Sequence, residues 1–404
     1  MRFNANVEKR KYIDFYNKND RTFMQSYEWG QFNQKSRNQI PYYVGLEDES
    51  GNLLCASLLL KKVCPFGYSY FYAPRGYLID YNDRDLLRKF TFEINKFMKN
   101  QKAIFLRHDP EIIYHDIDIN GNKIIDGNNN YELYNNLLSL GYKHTGFTKE
   151  FESNQPRYTF RIDLTRELSI IEKGISKSIM KKIHKTFEYG MEFRETTDTD
   201  TFYDLIQNNS EKDNFSSYSR SYYKDEYSIL GKSNIIKIFE LVIYPSKLYD
   251  YFNTQLSLID FTKSNSKQSV DRLNKLIVLL NEVKDQEEMV VCSQVCALTT
   301  DGMWTLYIGN NNIGTELYAV NRMYYEIIKY AKDTNHKFLD LFGTIGSTKI
   351  KHTSLIGIHN YKKNYGGTYV EFIGEFDYIY HKFLYYSFLK LVPIYRKIKK
   401  IIKK

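Results

Sequence analysis

Cysteine is scarce and scattered in this chain. Only Cys55, Cys64, Cys292 and Cys296 occur among 404 residues. None stands in a C-x-x-C pair, and no histidine lies at zinc-ligand spacing from any of them, so no metal is expected. Cys292 and Cys296 fall on one face of an apparent strand, where small buried apolar residues are expected, and all four cysteines are expected to be reduced core residues. No stretch approaches the about 18 apolar residues of a membrane-spanning helix. The opening MRFNANVEKRKYIDFY lacks the apolar run of a signal peptide. These absences lead to the expectation of a cytoplasmic protein. Acidic residues are missing from the last stretch: Tyr378–Lys404 holds eight Lys/Arg and no Asp or Glu.

What is present allows two or three domains, since single cores rarely outgrow about 250–300 residues. Hydrophobic residues make up 42% of the chain, enough for ordinary cores. The 37 tyrosines fit the coding bias of an AT-rich genome and are no functional signal. A net charge of +9 suits a partner that carries phosphates, although many cytosolic proteins are equally basic.

The pattern runs twice through the same order. Tyr42–Glu47 and Leu53–Lys62 read as strands joined by a turn at Asp48–Asn52, followed by a strand at Tyr68–Pro74. Leu86, Leu87, Phe90, Ile94 and Phe97 give Asp83–Lys99 a helical period. Ala103–Arg107 is a buried strand ending at His108-Asp109-Pro110, and a helix covers about 129–140. The second pass has strands at Ile235–Ile243, Met289–Thr299 and Trp304–Ile308, a helix over Glu316–Lys332, and a strand at Phe338–Phe342. Hairpin, strand, helix, strand is the order of the acetyltransferase-like fold. The expected class is therefore α/β (α+β), with two tandem lobes, 1–152 and 153–377. Between 247 and 287 two helices of equal apolar period interrupt the second lobe and predict an antiparallel coiled-coil hairpin, unless both pack into the main core. Residues 378–404 predict a basic amphipathic segment.

Six blocks then resemble a known family: FMQSYEWGQF (Phe23–Phe32), YAPRGYLID (Tyr72–Asp80), LRHDPEI (Leu106–Ile112), QPRYTFRIDL (Gln155–Leu164), LDLFGTIG (Leu339–Gly346) and YKKNYGGTYVEFIGEFD (Tyr361–Asp377). In order and together they resemble the Fem peptidyltransferases, across nearly the whole chain. The resemblance implies an aminoacyltransferase that uses aminoacyl-tRNA as donor and a peptidoglycan precursor such as lipid II as acceptor. The precursor's side-chain amine attacks the aminoacyl ester, with no cofactor. Such chemistry needs a neutral amine, a stabilised oxyanion and aligned substrates.

The resemblance implies Lys362 as the oxyanion cation, with an exposed loop lysine as the plain alternative, and Lys363 beside it. Asp109 is the candidate for accepting or orienting the amine's proton; otherwise it is a turn aspartate before Pro110. For the acceptor's diphosphate the family uses a lysine and an arginine, whose positions correspond to Asn33 and Tyr218 here. Lys35 and Arg220, two residues later, are the substitutes that could preserve charge. Arg75 belongs to an intact PRG block, and Tyr222 and Tyr307 match an acceptor pocket; each could instead be structural.

Lys177, Lys181 and Lys185 share a helical face without acidic interruption, which suits tRNA phosphates or a solvated surface. The C-terminal segment suits an anionic membrane surface, or a closing helix. A monomer at the inner face of the cell membrane is expected. Two rivals remain: an acetyl-CoA-dependent N-acetyltransferase, and an immunity or resistance factor on a Fem-like fold. Against the first, neither central helix is preceded by a Q/R-x-x-G-x-G/A pyrophosphate loop.

Overall fold

The structure is a computed structural model that describes every residue except 20–21, 214–216, 261–265, 348, 350–352 and 392–404. The chain divides into two compact units. The first is Met1–Thr159 with Gly343–Lys351 and Tyr369–Lys404; the second is Phe160–Phe342 with His352–Thr368. The strands are β1 (Arg2–Asn4), β2 (Ile40–Glu47), β3 (Leu53–Val63), β4 (Ser69–Ala73), β5 (Ala103–His108), β6 (Lys143–His144) and β7 (Tyr158–Asp163). After these come β8 (Glu192–Thr196), β9 (Ile236–Ile243), β10 (Met289–Leu298), β11 (Gly302–Asn310), β12 (Phe338–Asp340), β13 (Thr368–Glu371) and β14 (Phe376–Ile379).

The first sheet runs β1-β2-β3-β4-β5-β14-β6. β2 and β3 form the expected hairpin, closed where Asp48 Oδ1 accepts from the Asn52 backbone N–H at 2.8 Å. β4 and β5 are parallel, as strands joined through a crossover helix must be. That helix, Arg84–Asn100, starts where Asp83 accepts the Leu86 N–H at 2.9 Å. It buries Leu87, Phe90, Ile94 and Met98 at helical spacing, each such side chain worth about 1.5–3 kcal/mol. Leu86 and Phe97 sit at the margin of this core, partly buried. β14 comes from the far end of the chain and pairs antiparallel with β5. Asp377 there takes a bidentate guanidinium from Arg107, both bonds 2.7 Å. Nothing in the local pattern of Phe376–Ile379 announces this return.

The second sheet runs β13-β7-β12-β11-β10-β9-β8, with β9, β10 and β11 antiparallel and β12 parallel to β11. Between β9 and β10 lie helices Pro245–Ser257 and Ser266–Asn281, packed on one another as an antiparallel hairpin. Leu248, Phe252, Leu276 and Leu280 are buried near its base. Arg272 donates to the Glu316 carbonyl at 2.9 Å and Lys275 bonds its carboxylate at 2.7 Å, so the hairpin's second helix lies along its own lobe. The helix expected over Glu316–Lys332 is Ala319–Asp333, preceded by a short helix at Asn312–Glu316. Tyr318 between them has left-handed backbone, φ 58°, which no β-carbon-bearing residue announces from sequence.

Both sheets with their crossover helices make the fold two tandem acetyltransferase-like units. All four cysteines are thiols, three of them buried. Among the described residues no helix is long and apolar enough to cross a membrane, and no cluster of His, Cys, Asp and Glu could hold a metal. Of the C-terminal segment expected over 378–404, Tyr378 and Ile379 belong to β14, 382–391 is helical, and 392–404 lie outside the described residues.

Candidate active site

Asp109 follows β5 directly and is buried at 3% exposure. Its Oδ1 accepts the Arg75 backbone N–H at 2.8 Å and its Oδ2 the Tyr72 hydroxyl at 3.0 Å. Burial pushes its pKa up to about 7; Arg75 opposes the shift and Glu375 adds to it. A carboxyl poised near neutrality suits a group that takes a proton at physiological pH. Arg75 has left-handed backbone, φ 57°, in the turn at Gly76. Its guanidinium donates to the Pro156 carbonyl at 3.1 Å, lies 3.8 Å from Glu111 and caps the Phe372 ring at 4.7 Å. It therefore holds the turn that presents Asp109. Neighbouring His108 is enclosed by Tyr77, Tyr142 and Phe376, and burial lowers its pKa to about 3.

Lys362 is not on a loop, as the neighbouring glycines suggest, but in the last turn of helix Thr353–Lys363. Its Nζ donates to the Phe342 carbonyl at 3.0 Å. Burial lowers its pKa to about 8, with Asp340 holding it up. Asp340 ends β12, and its two oxygens have separate tasks. Oδ2 takes the Arg161 Nε–H at 2.8 Å, and Oδ1 takes the Phe342 backbone N–H at 2.7 Å. Phe342 stands at φ 61°, a conformation costly to a residue with a β-carbon and here secured by that bond. Sequence reasoning missed Asp340 and Arg161. The available signal was an acid closing the short apolar strand β12 and a base inside β7.

Tyr222 and Tyr307 do come together. Tyr218 stacks on Tyr222 at 4.0 Å between centroids and meets Tyr307 edge-on at 6.2 Å, with Tyr223 5.5 Å from Tyr307. Burial raises the Tyr307 phenol well above its usual range, so it stays a neutral donor. Arg220 points elsewhere. Its guanidinium pairs with Asp200 and Asp204 and covers the Tyr203 ring at 4.4 Å. Tyr218 stands in an aromatic stack, and Arg220's charge is already matched by two carboxylates.

Lys35 does not replace Asn33 in direction. Helix Tyr27–Arg37 is regular, so two residues turn the side chain by about 200°. Asn33 is 1% exposed and donates to the Trp29 carbonyl at 2.8 Å, whereas Lys35 is exposed. Gln25, in the same block, bonds the Leu58 N–H and the Pro74 carbonyl, each at 2.8 Å, and ties the helix to the sheet.

Lys177, Lys181 and Lys185 all stand on the exposed face of helix Lys177–Phe187, opposite buried Ile179 and Ile183. The cationic surface is wider than the sequence pattern. Burial and the nearby charges of Arg272 and Lys181 lower the Lys185 pKa. Lys182 and Arg272 both face the Tyr318 ring, at 5.3 and 4.6 Å. Arg272 comes from the helical hairpin, so the hairpin contributes to this surface.

Residues 7–392 match the FemAB family. The chain belongs to that family. It is 25% identical over 364 residues to the lipid II:glycine glycyltransferase of Staphylococcus epidermidis, covering 85% of this chain and 84% of that one. The Staphylococcus haemolyticus protein of the same name is 24% identical over 367 residues, with the same coverage. The crystal structure of FemX superposes with a TM-score of 0.77 at 19% identity, over 96% of this chain and 99% of that one. That likeness shows the shared fold. Lys362, Asp109 and the tyrosine cluster therefore sit in a FemAB framework.

Proposed function

We propose that this FemAB protein transfers an amino acid from aminoacyl-tRNA to the side-chain amine of a peptidoglycan precursor, lipid II or its like. The observation that carries the reading is Lys362, a lysine anchored on the Phe342 carbonyl with its pKa lowered to about 8. Such an amine is charged at neutral pH, partly desolvated and held in place, as an oxyanion partner must be. A donor of this kind is worth roughly 3–4 kcal/mol in the transition state. Relatives named lipid II:glycine glycyltransferase support the acceptor class and the transfer chemistry.

In the reaction the acceptor amine attacks the aminoacyl ester carbonyl and a C–N bond forms. The Lys362 ammonium takes up the charge that grows on the carbonyl oxygen. Asp109, near neutrality, accepts or orients the amine proton, the C–O ester bond breaks, and that proton ends on the departing tRNA 3′ oxygen, which leaves as the hydroxyl. Arg75 and Tyr72 hold Asp109, while Asp340 and Arg161 hold the turn that anchors Lys362. Tyr218, Tyr222 and Tyr307 would line the acceptor, with aromatic surface where the family has an arginine. The Lys177–Lys185 stripe with Lys182 and Arg272 would bind tRNA phosphates. The basic C-terminal segment would keep the enzyme, a monomer, at the inner membrane face.

A donor exchange tests this. Incubated with lipid II, the protein should consume aminoacyl-tRNA, and prior ribonuclease treatment should abolish transfer. Transfer from acetyl-CoA in place of aminoacyl-tRNA would refute it.

A further inference from the structure

The first unit carries apolar surface that its core does not use. β3 and β4 are joined by a turn at Pro65–Gly67, and Phe66 at its tip is 96% exposed with left-handed backbone, φ 62°. Val63 beside it is 62% exposed. Below the tip, Cys64, Tyr68 and Tyr70 pack with Leu384 and Phe388 on a cluster of Ile104, Phe105 and Tyr385. Tyr68 meets His381 at 5.2 Å and Tyr70 meets Phe388 at 5.0 Å. The turn and helix 382–391 are thus fixed side by side. The helix spends one face on that cluster and leaves Phe383, Tyr386, Leu389 and Leu391 exposed on the others, Phe383 by 80%.

The charge around this surface has one sign. Lys62, Lys382 and Lys390 are exposed, and Lys143 lies 5.0 Å from the Tyr386 ring. Neither 61–70 nor 378–391 contains Asp or Glu, and residues 392–404 add six Lys/Arg and no acid. Large exposed apolar side chains flanked by exposed lysines match a layer of anionic headgroups over hydrocarbon. Lysine stems can lie along the apolar surface while the ammonium reaches phosphate.

We propose that the Val63–Phe66 turn and the outer face of helix 382–391 form one docking surface for an anionic lipid bilayer, with Phe66 as its inserting tip. This rests on the reading that the acceptor is lipid-linked, and it adds a second contact, remote in sequence, to the basic C-terminal segment. Two contacts on a rigid sheet end would fix the orientation of the enzyme on the membrane, which one terminal segment cannot do.

The full chain is sedimented with phosphatidylglycerol/phosphatidylcholine vesicles and with phosphatidylcholine alone. Binding should need phosphatidylglycerol and weaken with salt. The pair Val63→Ser and Phe66→Ser should lower the partition coefficient about tenfold, the size expected for apolar side chains no longer buried. Phe66→Trp should report insertion by a blue shift on vesicles, read against native Trp29 and Trp304, which are buried. Turnover on a soluble nucleotide-linked acceptor should be unchanged in these variants, because the Val63 and Phe66 side chains are exposed and outside the catalytic machinery. The proposal is overturned if the wild type ignores anionic vesicles, or if the double serine variant binds equally and the tryptophan emission does not move. It is also overturned if the serine variants instead abolish a dimer of the chain in solution. Failure of lipid II turnover with vesicle binding intact would count against the proposed reaction and leave the docking surface standing.

Discussion

Asp340→Asn separates charge from architecture at the lysine. The amide can still accept the Phe342 N–H, which the carboxylate now takes at 2.7 Å. It loses the negative charge that holds up the Lys362 pKa at about 8. Removing one nearby opposite charge typically shifts a pKa by about 1–3 units, and the smaller figure suits a charge whose effect is outweighed by burial. The Lys362 pKa should then fall to about 7. At pH 8 the ammonium fraction drops from about one-half to about one-tenth, and the rate about fivefold, whereas at pH 6 both proteins are almost fully protonated. The assay is kcat for aminoacyl transfer to lipid II between pH 6 and 9, with spontaneous ester hydrolysis subtracted. The alkaline limb should move about one unit toward acid, whatever happens to the amplitude. Losing the Arg161 ion pair also costs stability, so thermal melting is recorded beside it, and Arg161→Gln serves as a control that keeps the carboxylate. An alkaline limb that stays near pH 8 in Asp340→Asn would refute the assignment of that limb to Lys362.

Other outcomes follow from the same geometry. Lys362→Met should cut kcat by about 10²–10³ with melting unchanged, the size of one oxyanion donor. Asp109 has a pKa raised to about 7 by burial, so the unfolded chain releases this proton at lower pH and the group costs stability as pH rises from about 4 through 7. Asp109→Asn should therefore flatten the acid limb of the rate profile and lose less melting temperature between pH 5 and 8 than the wild type does. Asn33→Lys should lower the melting temperature, because position 33 is 1% exposed and an unpaired ammonium there is costly, while Lys35→Glu should leave folding intact. Lys181→Glu with Arg272→Glu should raise KM for aminoacyl-tRNA and flatten its salt dependence, and leave the acceptor KM unchanged.

The repeated order of hairpin, strand, helix and strand was legible because burial imposes a period of 3.6 on Arg84–Asn100 and unbroken buried runs on Leu53–Val63 and Met289–Leu298. The helical hairpin at 245–281 was legible for the same reason. Other features depend on partners distant in sequence. β14 is four residues long and is defined by Arg107 receiving Asp377, 270 positions away. The break at Tyr318 and the turn at Phe342 are left-handed conformations in residues that seldom adopt them, so no propensity predicts them. Lys362 and Asp109 were found through the family blocks, while the reason for their shifted pKa values, burial against particular neighbours, appears only in three dimensions. Arg220 shows the converse. Its nearness in sequence to Tyr222 and Tyr223 suggested a place beside them, yet Asp200 and Asp204, one helix earlier, hold its charge. Lys35 faces another direction than Asn33, because a regular helix turns a two-residue shift to another face.

The central claim is that an aminoacyl group moves from tRNA to the precursor's side-chain amine. Its most direct measurement is the mass of lipid II after incubation with the protein and a mixture of isotopically labelled aminoacyl-tRNAs, followed by fragmentation to place the new amide. Lipid II should gain one labelled aminoacyl residue on the side-chain amine, and none with Lys362→Met. Lipid II that returns at its original mass, or that gains an acetyl group from added acetyl-CoA, would contradict it.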